Sequence, residues 1–148
     1  MGFLKAYIAS GWFNDEQMND LLTIKAALNA LEIPFYSPKD DNFCQPDESQ
    51  ESKQKCYAEN LSAIVSCTFM ICNTRDKDMG SIFEAGYASG RKQMDIIYYC
   101  EGLKDGFNLM LAQSGITVCR NSLELVSDLN IYKKGLRSIL KKYEGTIE

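Results

Sequence analysis

Two carboxylates, Asp78 and Glu84, flank a glycine in the segment DMGSIFEAGYASG, residues 78–90. Because carboxylates can act as nucleophiles or as general acids and bases, this segment is a candidate catalytic site. The same segment contains Ser-x-x-Glu, formed by Ser81 and Glu84, which is the pattern of an N-terminal capping box. Taken alone, the pattern favours a structural interpretation, in which Glu84 bonds the Ser81 amide and Asp78 is a solvated loop residue.

Histidine is missing from the sequence. This excludes Ser-His and Cys-His nucleophile systems and every histidine-bound metal site. In an enzyme of this composition, proton chemistry falls to carboxylates, tyrosine, lysine or cysteine. The six cysteines form no CxxC pair, which favours buried free thiols over disulfides or a zinc site.

Length, composition and charge limit the classes of protein to which this chain can belong. With 148 residues, 45% of them apolar and 24% charged, the chain fits one globular domain over residues 1–148. The formal net charge of -4 argues against nucleic acid as a partner, since binding phosphates needs a basic surface. The one cationic cluster, at 133–142, is interpreted as the solvated face of a terminal helix. No apolar run is long enough for a membrane span or a signal peptide, so we expect no membrane partner and a cytoplasmic location.

Short β-prone runs alternate with helix-like segments along the chain. Strands are predicted at 6–9, 35–36, 68–72, 96–99 and 116–119, and helices at about 14–31, 52–62, 81–92, 108–113 and 123–143. Residues 37–52 are predicted to be a loop, either a disordered insertion or an active-site lid. The alternation predicts an α/β fold with a flavodoxin-like or Rossmann-like, doubly wound five-stranded parallel sheet that carries helices on both faces.

Ligands of such sheets bind outside the carboxyl ends of the strands. This rule selects the segments 10–13, 73–84 and 101–110. In the second segment, Gly80 is expected to permit a tight turn into a helix. The positive end of that helix would then keep Glu84, in its first turn, ionised.

Aromatic residues accompany the first strand. The Tyr7 hydroxyl would lie near the carboxyl end of this strand, where it could hydrogen-bond a carboxylate. Trp12 and Phe13, which follow Gly11, could stack on a planar base or could form a hydrophobic staple for the next helix. Each of these residues, taken singly, is more often structural.

Three motifs in combination resemble the nucleoside 2-deoxyribosyltransferase family. They are KAYIASGWFNDEQ at 5–17, DMGSIFEAGYA at 78–88 and FNLM at 107–110, in the order and spacing of the family. The resemblance implies a pentosyltransferase that cleaves the N-glycosidic bond of a 2'-deoxynucleoside, holds deoxyribose covalently on a glutamate and passes it to another nucleobase with retention. It implies 2'-deoxynucleosides and free nucleobases as partners and requires no cofactor and no metal. It also implies a homo-oligomer, either a dimer or a hexamer built from dimers.

The resemblance assigns catalytic roles residue by residue. Glu84 would be the nucleophile, and Tyr7 would hydrogen-bond and orient it. Asp78 would contact the base and supply or relay its proton.

The resemblance also assigns substrate-binding positions. Asn60 stands where the family usually has Asp, which leaves the base preference open. Asn108 would bind the sugar 5'-hydroxyl and Met110 would line the site, both reaching into the active site of a neighbouring subunit. The remaining substrate-binding candidates are Gly11, Trp12, Phe13 and Gly80.

Two other functions stay open. One is hydrolysis of a 2'-deoxynucleoside or its 5'-monophosphate to free base and sugar, and the other is non-catalytic nucleotide binding by a flavodoxin-like module. The turn from Ser10 to Phe13 has no arginine, which argues for a free 5'-hydroxyl. The glycine-rich motif of cytokinin-type phosphoribohydrolases is missing. Whether a second base or water meets the intermediate depends on how well the closed site excludes water.

Overall fold

The computed structural model describes residues 3–148, apart from the side chain of Lys92. The strands are β1 (Ala6–Ala9), β2 (Phe35–Tyr36), β3 (Phe69–Asn73), β4 (Asp95–Tyr99) and β5 (Thr117–Cys119). The helices are α1 (Asp15–Ala30), α2 (Pro38–Asp41), α3 (Gln50–Ser66), α4 (Met79–Lys92), α5 (Leu109–Ser114) and α6 (Ser122–Lys133). The strands form one sheet in the order β2-β1-β3-β4-β5, and every pair is parallel. The predicted flavodoxin-like fold is therefore confirmed.

The two faces of the sheet have separate apolar cores. Helices α1 and α6 cover one face, and α3, α4 and α5 cover the other. Because successive side chains of a strand point to opposite faces, Ala6 and Ile8 of β1 join the first core while Tyr7 and Ala9 join the second. This alternation puts Tyr7 in the same layer as α4, the helix that carries Glu84.

The segment 37–52 contains more helix than predicted. Helix α2 begins at Pro38, whose fixed φ suits the first helical position. Helix α3 begins at Gln50, where the Ser49 side chain accepts a hydrogen bond from a backbone N–H of the first turn. The predicted loop is therefore wrong at both ends, and the non-helical connection is the short stretch 42–49.

Helix α6 ends at Lys133, so the predicted helix over 123–143 is wrong beyond that point. Gly135 adopts a left-handed φ of 77°, and its N–H donates to the carbonyl of Tyr132 at 3.0 Å. A glycine in this conformation commonly ends a helix. The cationic cluster 133–142 lies mostly outside α6, and its interpretation as one face of a helix is wrong.

All six cysteines are free thiols, and Cys67, Cys72 and Cys119 are buried. The interpretation as buried free thiols is thus confirmed for these three, while the other cysteines are half-buried. None of the helices within residues 3–148 is long and apolar enough to cross a membrane.

Candidate active site

A cleft of about 330 Å³ opens at the carboxyl ends of β1 and β3. The ends of the two strands are joined by Asn73, the last residue of β3, whose side-chain amide donates to Ser10 Oγ at 3.1 Å and to Asp20 Oδ2 at 3.3 Å. Six of the predicted site residues line this one cleft, namely Trp12, Phe13, Asn60, Asp78, Gly80 and Glu84. The β1–α1 loop, α3 and the start of α4 therefore bring together residues that are far apart in the sequence.

Glu84 is held by a tyrosine from the sheet. The Tyr7 hydroxyl donates a hydrogen bond to Glu84 Oε2, and Tyr7 is completely buried. Burial raises the pKa of Glu84 to about 7, the Tyr7 hydrogen bond opposes this rise, and the nearby charge of Asp78 adds to it. Burial of the phenol and, after it, the charge of the same carboxylate raise the pKa of Tyr7, which keeps Tyr7 a hydrogen-bond donor.

The start of α4 differs from the predicted capping box. The N-cap residue is Asp78, whose Oδ2 accepts from the Ser81 N–H at 3.0 Å and from Ser81 Oγ at 2.7 Å. Ser81 is therefore a buried residue of the first turn, and its predicted role as the cap is wrong. Glu84 lies in the second turn, so the predicted ionisation by the helix end is also wrong, since burial dominates its pKa.

The turn into α4 does not depend on Gly80. A Cβ atom at this position would lie 3.6 Å from Asp78 Oδ2, which is an ordinary contact. The unusual backbone belongs instead to Asp76 and Lys77, with φ of 60° and 53°. Asp76 is secured by hydrogen bonds that its Oδ2 accepts from two side chains of the β1–α1 region, at 2.9 and 3.2 Å.

Gly11 shapes the β1–α1 loop without lining the cleft. A Cβ atom at Gly11 would lie 2.6 Å from Gln17 Oε1, so a side chain at this position would displace the Gln17 amide. The same Gln17 oxygen accepts from the Phe13 N–H at 2.9 Å and fixes the loop. Trp12 is half-buried, Phe13 is 71% exposed, and their ring centroids are 5.1 Å apart. The loop therefore presents an aromatic edge to the cleft.

Asn108 and Met110 lie at a second cavity, of about 390 Å³, which Glu84 does not line. Asn108 is the N-cap of α5, and its side chain accepts from the N–H groups of Met110 at 2.9 Å and Leu111 at 3.2 Å. Met110 is 74% exposed. A single chain does not bring these two predicted residues to Glu84.

Sequence reasoning missed an aromatic pair at the rim of the cleft. Tyr57 of α3 and Phe83 of α4 have ring centroids 6.2 Å apart, and both are more than half exposed. The available signal was one aromatic residue on each of two predicted helices, Tyr57 in a largely polar segment and Phe83 directly before Glu84. Exposed apolar rings beside a cleft are common at binding sites.

The charges of the cleft restrict its chemistry. Among the described residues that line it, Asp78 and Glu84 are the charged ones, and both are acidic. No group of three or more cysteine, aspartate and glutamate side chains within the described part of the chain is arranged to hold a metal ion. A buried carboxylate beside a second carboxyl group can perform the two roles of a retaining glycosidase, as nucleophile and as proton donor.

Residues 6–121 match the family model described as nucleoside 2-deoxyribosyltransferase. The chain belongs to this family. The match spans all five strands and includes Tyr7, Asp78 and Glu84, and it confirms the resemblance of the three motifs. No curated protein sequence matches the chain significantly.

Solved structures share the fold of this nucleoside 2-deoxyribosyltransferase family member. A 2-deoxyribosyltransferase from the psychrotolerant bacterium Bacillus psychrosaccharolyticus is 20% identical, with a TM-score of 0.78 over 94% of this chain and 98% of that one. A CMP N-glycosidase from Clostridium botulinum is 16% identical, with a TM-score of 0.57 over 86% and 99% of the two chains. A conserved protein from Enterococcus faecalis V583 is 12% identical, with a TM-score of 0.55 over 95% and 89%. At these identities the likeness concerns the fold.

Proposed function

We propose that the chain is a nucleoside 2-deoxyribosyltransferase, which cleaves the N-glycosidic bond of a 2'-deoxynucleoside and passes the sugar to another nucleobase. The observation that carries the proposal is the hydrogen bond from Tyr7 to Glu84 in a cleft that Asp78 also lines, in a chain of this family. Both carboxyl groups and the tyrosine come from one chain, and the reaction requires no cofactor.

The proposed reaction has two displacements at the same carbon. The ionised Glu84 attacks C1' of the sugar as the bond from C1' to the base nitrogen breaks, and Asp78 supplies or relays a proton to the departing base. A second base then attacks C1', releases the Glu84 carboxylate and returns its ring N–H proton to Asp78. Two inversions give retention. The transition states carry positive charge on the sugar, which the carboxylate stabilises.

The substrate we propose is a nucleoside with a free 5'-hydroxyl. A 5'-phosphate is normally met by cationic side chains, and the described residues that line the cleft include no lysine or arginine. Trp12 and Phe13 supply aromatic surface for a planar base.

We further propose that the working enzyme is a homo-oligomer, a dimer or a hexamer built from dimers, with sites shared between subunits. The support is the position of Asn108 and Met110, which face away from the cleft of their own chain. Exposed Met110 is apolar surface that a second copy would cover.

Hydrolysis is the second candidate, because the cleft of the single chain is open at the exposed Phe13. Water that reaches C1' of the covalent intermediate would release free sugar. The alternative of a non-catalytic binding module requires that loss of Glu84 leave the function intact.

One experiment separates these functions. The protein is incubated with deoxyinosine or thymidine and a different free base, and the products are separated by chromatography. A new deoxynucleoside is the expected result, and the Glu84→Ala variant, tested in parallel, should form none. Free base with deoxyribose alone would show a hydrolase, whereas no turnover of any deoxynucleoside would contradict both enzymatic functions.

A further inference from the structure

A hydrogen-bond network behind the cleft fixes the side chain of Asn42. Its Nδ2 atom lies 2.9 Å from the backbone carbonyl oxygen of Cys56. A carbonyl oxygen only accepts hydrogen bonds, so the atom of Asn42 that faces it must be the NH2 group. The Cys56 thiol donates back to the Asn42 carbonyl at 3.4 Å and holds the segment 42–49 against α3. The orientation of Asn42 is thus determined by the backbone of α3.

The fixed amide of Asn42 determines the orientation of Asn60. The same Asn42 Nδ2 lies 2.9 Å from one side-chain atom of Asn60, which must therefore be the acceptor, Oδ1. The Tyr36 hydroxyl donates to this oxygen as well, at 3.1 Å. Two donors occupy both lone pairs of Oδ1. No hydrogen bond within the described part of the chain engages Asn60 Nδ2, so its NH2 group is the part left for a ligand.

Tyr36 connects this network to the nucleophile. Its ring stacks on Tyr7, with centroids 5.5 Å apart and planes inclined by 19°. Tyr7 in turn bonds Glu84. Asn60 lines the same cleft as Glu84 and lies one helical turn from the rim residue Tyr57 on α3. The donor is therefore held rigidly at the cleft where the base must bind.

Nucleobases differ in whether their edge can accept a hydrogen bond from the Asn60 NH2 group. At equivalent positions, 6-oxopurines and 4-oxopyrimidines present a carbonyl acceptor, whereas adenine and cytosine present an amino donor. An amino group that faces the Asn60 NH2 group leaves two donors without an acceptor, which is costly in a desolvated site. An aspartate at the same position would accept from the amino group instead.

We propose that Asn60 binds the base by donating to an exocyclic carbonyl oxygen, that Asn42 and Tyr36 are the residues that position it, and that the enzyme therefore prefers oxo over amino nucleobases. This inference rests on the proposed function and names its substrate class. The preference arises from the direction of one hydrogen bond, and the network that sets the direction lies outside the reacting groups.

Two matched pairs of deoxynucleosides, used as sugar donors, test the inference. They are deoxyinosine against deoxyadenosine and deoxyuridine against deoxycytidine. For each protein, kcat/KM is measured for all four sugar donors with one common acceptor base. The oxo/amino ratio is the kcat/KM of the oxo member of a pair divided by that of the amino member. Leaving-group differences are the same for every protein and cancel when the ratios of a variant and the native chain are compared. We expect Asn60→Asp to lower the oxo/amino ratio about tenfold or more, the effect of one hydrogen bond to a base edge. Asn42→Ala should lower it by a smaller factor, because Asn60 can then rotate.

Controls separate recognition from folding. Loss of stability reduces turnover of all four donors alike and leaves the ratio unchanged, and thermal melting of each variant is recorded. Should Asn60→Asp fail to fold, the ratio of Asn42→Ala decides, with Tyr36→Phe as a second positioning variant that keeps Asn60 itself. Ratios within about twofold of the native chain in the folded variants would overturn this inference and leave the proposed function standing. No cleavage of any of the four donors by the native chain would overturn both.

Discussion

The two cavities at the carboxyl edge of the sheet are built in different ways. At the first cleft, Glu84 is bonded by the buried Tyr7, and Asp78 is bonded by the first turn of its own helix. At the second cavity, Asn108 caps a helix of six residues and Met110 is exposed to solvent. The proposed reacting groups are therefore complete within one chain, whereas Asn108, which is proposed to bind the sugar, and Met110 face outward.

The difference between the two cavities suits the proposed active site, which is shared between two subunits. A nucleophile needs a rigid environment that sets its pKa, and a buried tyrosine from the central part of the sheet supplies one. A residue that contacts the substrate from the far side can come from another copy, provided that the interface is rigid. The following experiments test the two cavities separately and then together.

The largest effect is expected for Glu84→Gln, which keeps the shape of the side chain and removes the proposed nucleophile. Exchange of bases between deoxynucleosides should fall by at least about 10³-fold, because no covalent intermediate can form. Steady-state chromatographic assays measure the loss, and trapping of a deoxyribosyl adduct on the native protein by mass spectrometry is the positive control. Residual exchange within about tenfold of the native rate would contradict the assignment of Glu84 as the nucleophile.

The same substitution should stabilise the protein at alkaline pH. The pKa of Glu84 is raised from 4.5 to about 7, so the folded state holds this proton more tightly than the unfolded state does. The resulting stabilisation is fully present below pH 4.5 and is lost as the pH rises through 7. Glu84→Gln cannot lose a proton, and its free energy of unfolding at pH 8 should exceed that of the native chain by up to about 3 kcal/mol.

Urea unfolding at pH 4.5 and pH 8 measures this difference. The two proteins should be similar in stability at the lower pH and should diverge at the higher one. If the free energies of unfolding of the two proteins differed by the same amount at both pH values, burial would not raise the pKa of Glu84. A gain in stability together with a loss of activity is the behaviour expected of a catalytic carboxylate whose burial costs stability.

The sequence predicts a feature of this molecule well when a run of residues carries it, and poorly when a single residue does. The continuous apolar run of Ala6, Tyr7, Ile8 and Ala9 predicts a buried strand, and every strand was located within a residue or two because strands buried on both faces of a parallel sheet form short apolar runs. Helix ends were predicted less well. Helix α6 stops near Gly135, which adopts a left-handed backbone conformation, and a single residue of this kind forms no pattern in the sequence.

The candidate site shows the same limit. Motif resemblance identified Glu84 and Tyr7 as a pair, although nothing local in either segment indicates that their side chains meet. The capping role of Asp78 was assigned to Ser81 because both Asp and Ser are good N-cap residues and the sequence alone does not choose between them. The contact of Asn42 with Asn60 joins residues of two segments through side-chain amides, and such a pairing follows only from the three-dimensional arrangement.

A smaller effect is expected for Tyr7→Phe, which tests how the first cleft sets the pKa of Glu84. The Tyr7 hydroxyl stabilises the ionised carboxylate, so its removal should raise the pKa of Glu84 above about 7. Activity should fall about 10- to 100-fold, the usual effect of a hydrogen bond to a charged group. The acidic limb of the profile of kcat/KM against pH should move to higher pH, since less of the enzyme is ionised at a given pH.

Tyr98→Phe is the matched control for this profile. Tyr98 is also a buried tyrosine of the sheet, and its hydroxyl lies 2.7 Å from Ser114 Oγ, away from Glu84. Its substitution should leave the position of the acidic limb unchanged. An acidic limb that stays in place in Tyr7→Phe, or moves equally in both variants, would argue against Tyr7 as the residue that orients the nucleophile.

The smallest effect is expected at the second cavity, for Asn108→Asp. The aspartate keeps the oxygen that caps α5 and loses the amide donor, so a defect reports on substrate binding and not on the helix. We expect kcat/KM to fall about tenfold, mainly through KM. An unchanged kcat/KM would remove Asn108 from the site.

Mixing this variant with Glu84→Gln decides whether the two cavities serve one site. In a symmetric dimer with shared sites, each mixed dimer contains one site built from the intact Glu84 of one subunit and the intact Asn108 of the other. After exchange of subunits, the activity of an equal mixture should rise about fivefold above the mean of the separate variants. Activity that stays at this mean after verified exchange would mean that each chain uses its own Asn108 or none, and that the exposed face at Met110 serves some other contact.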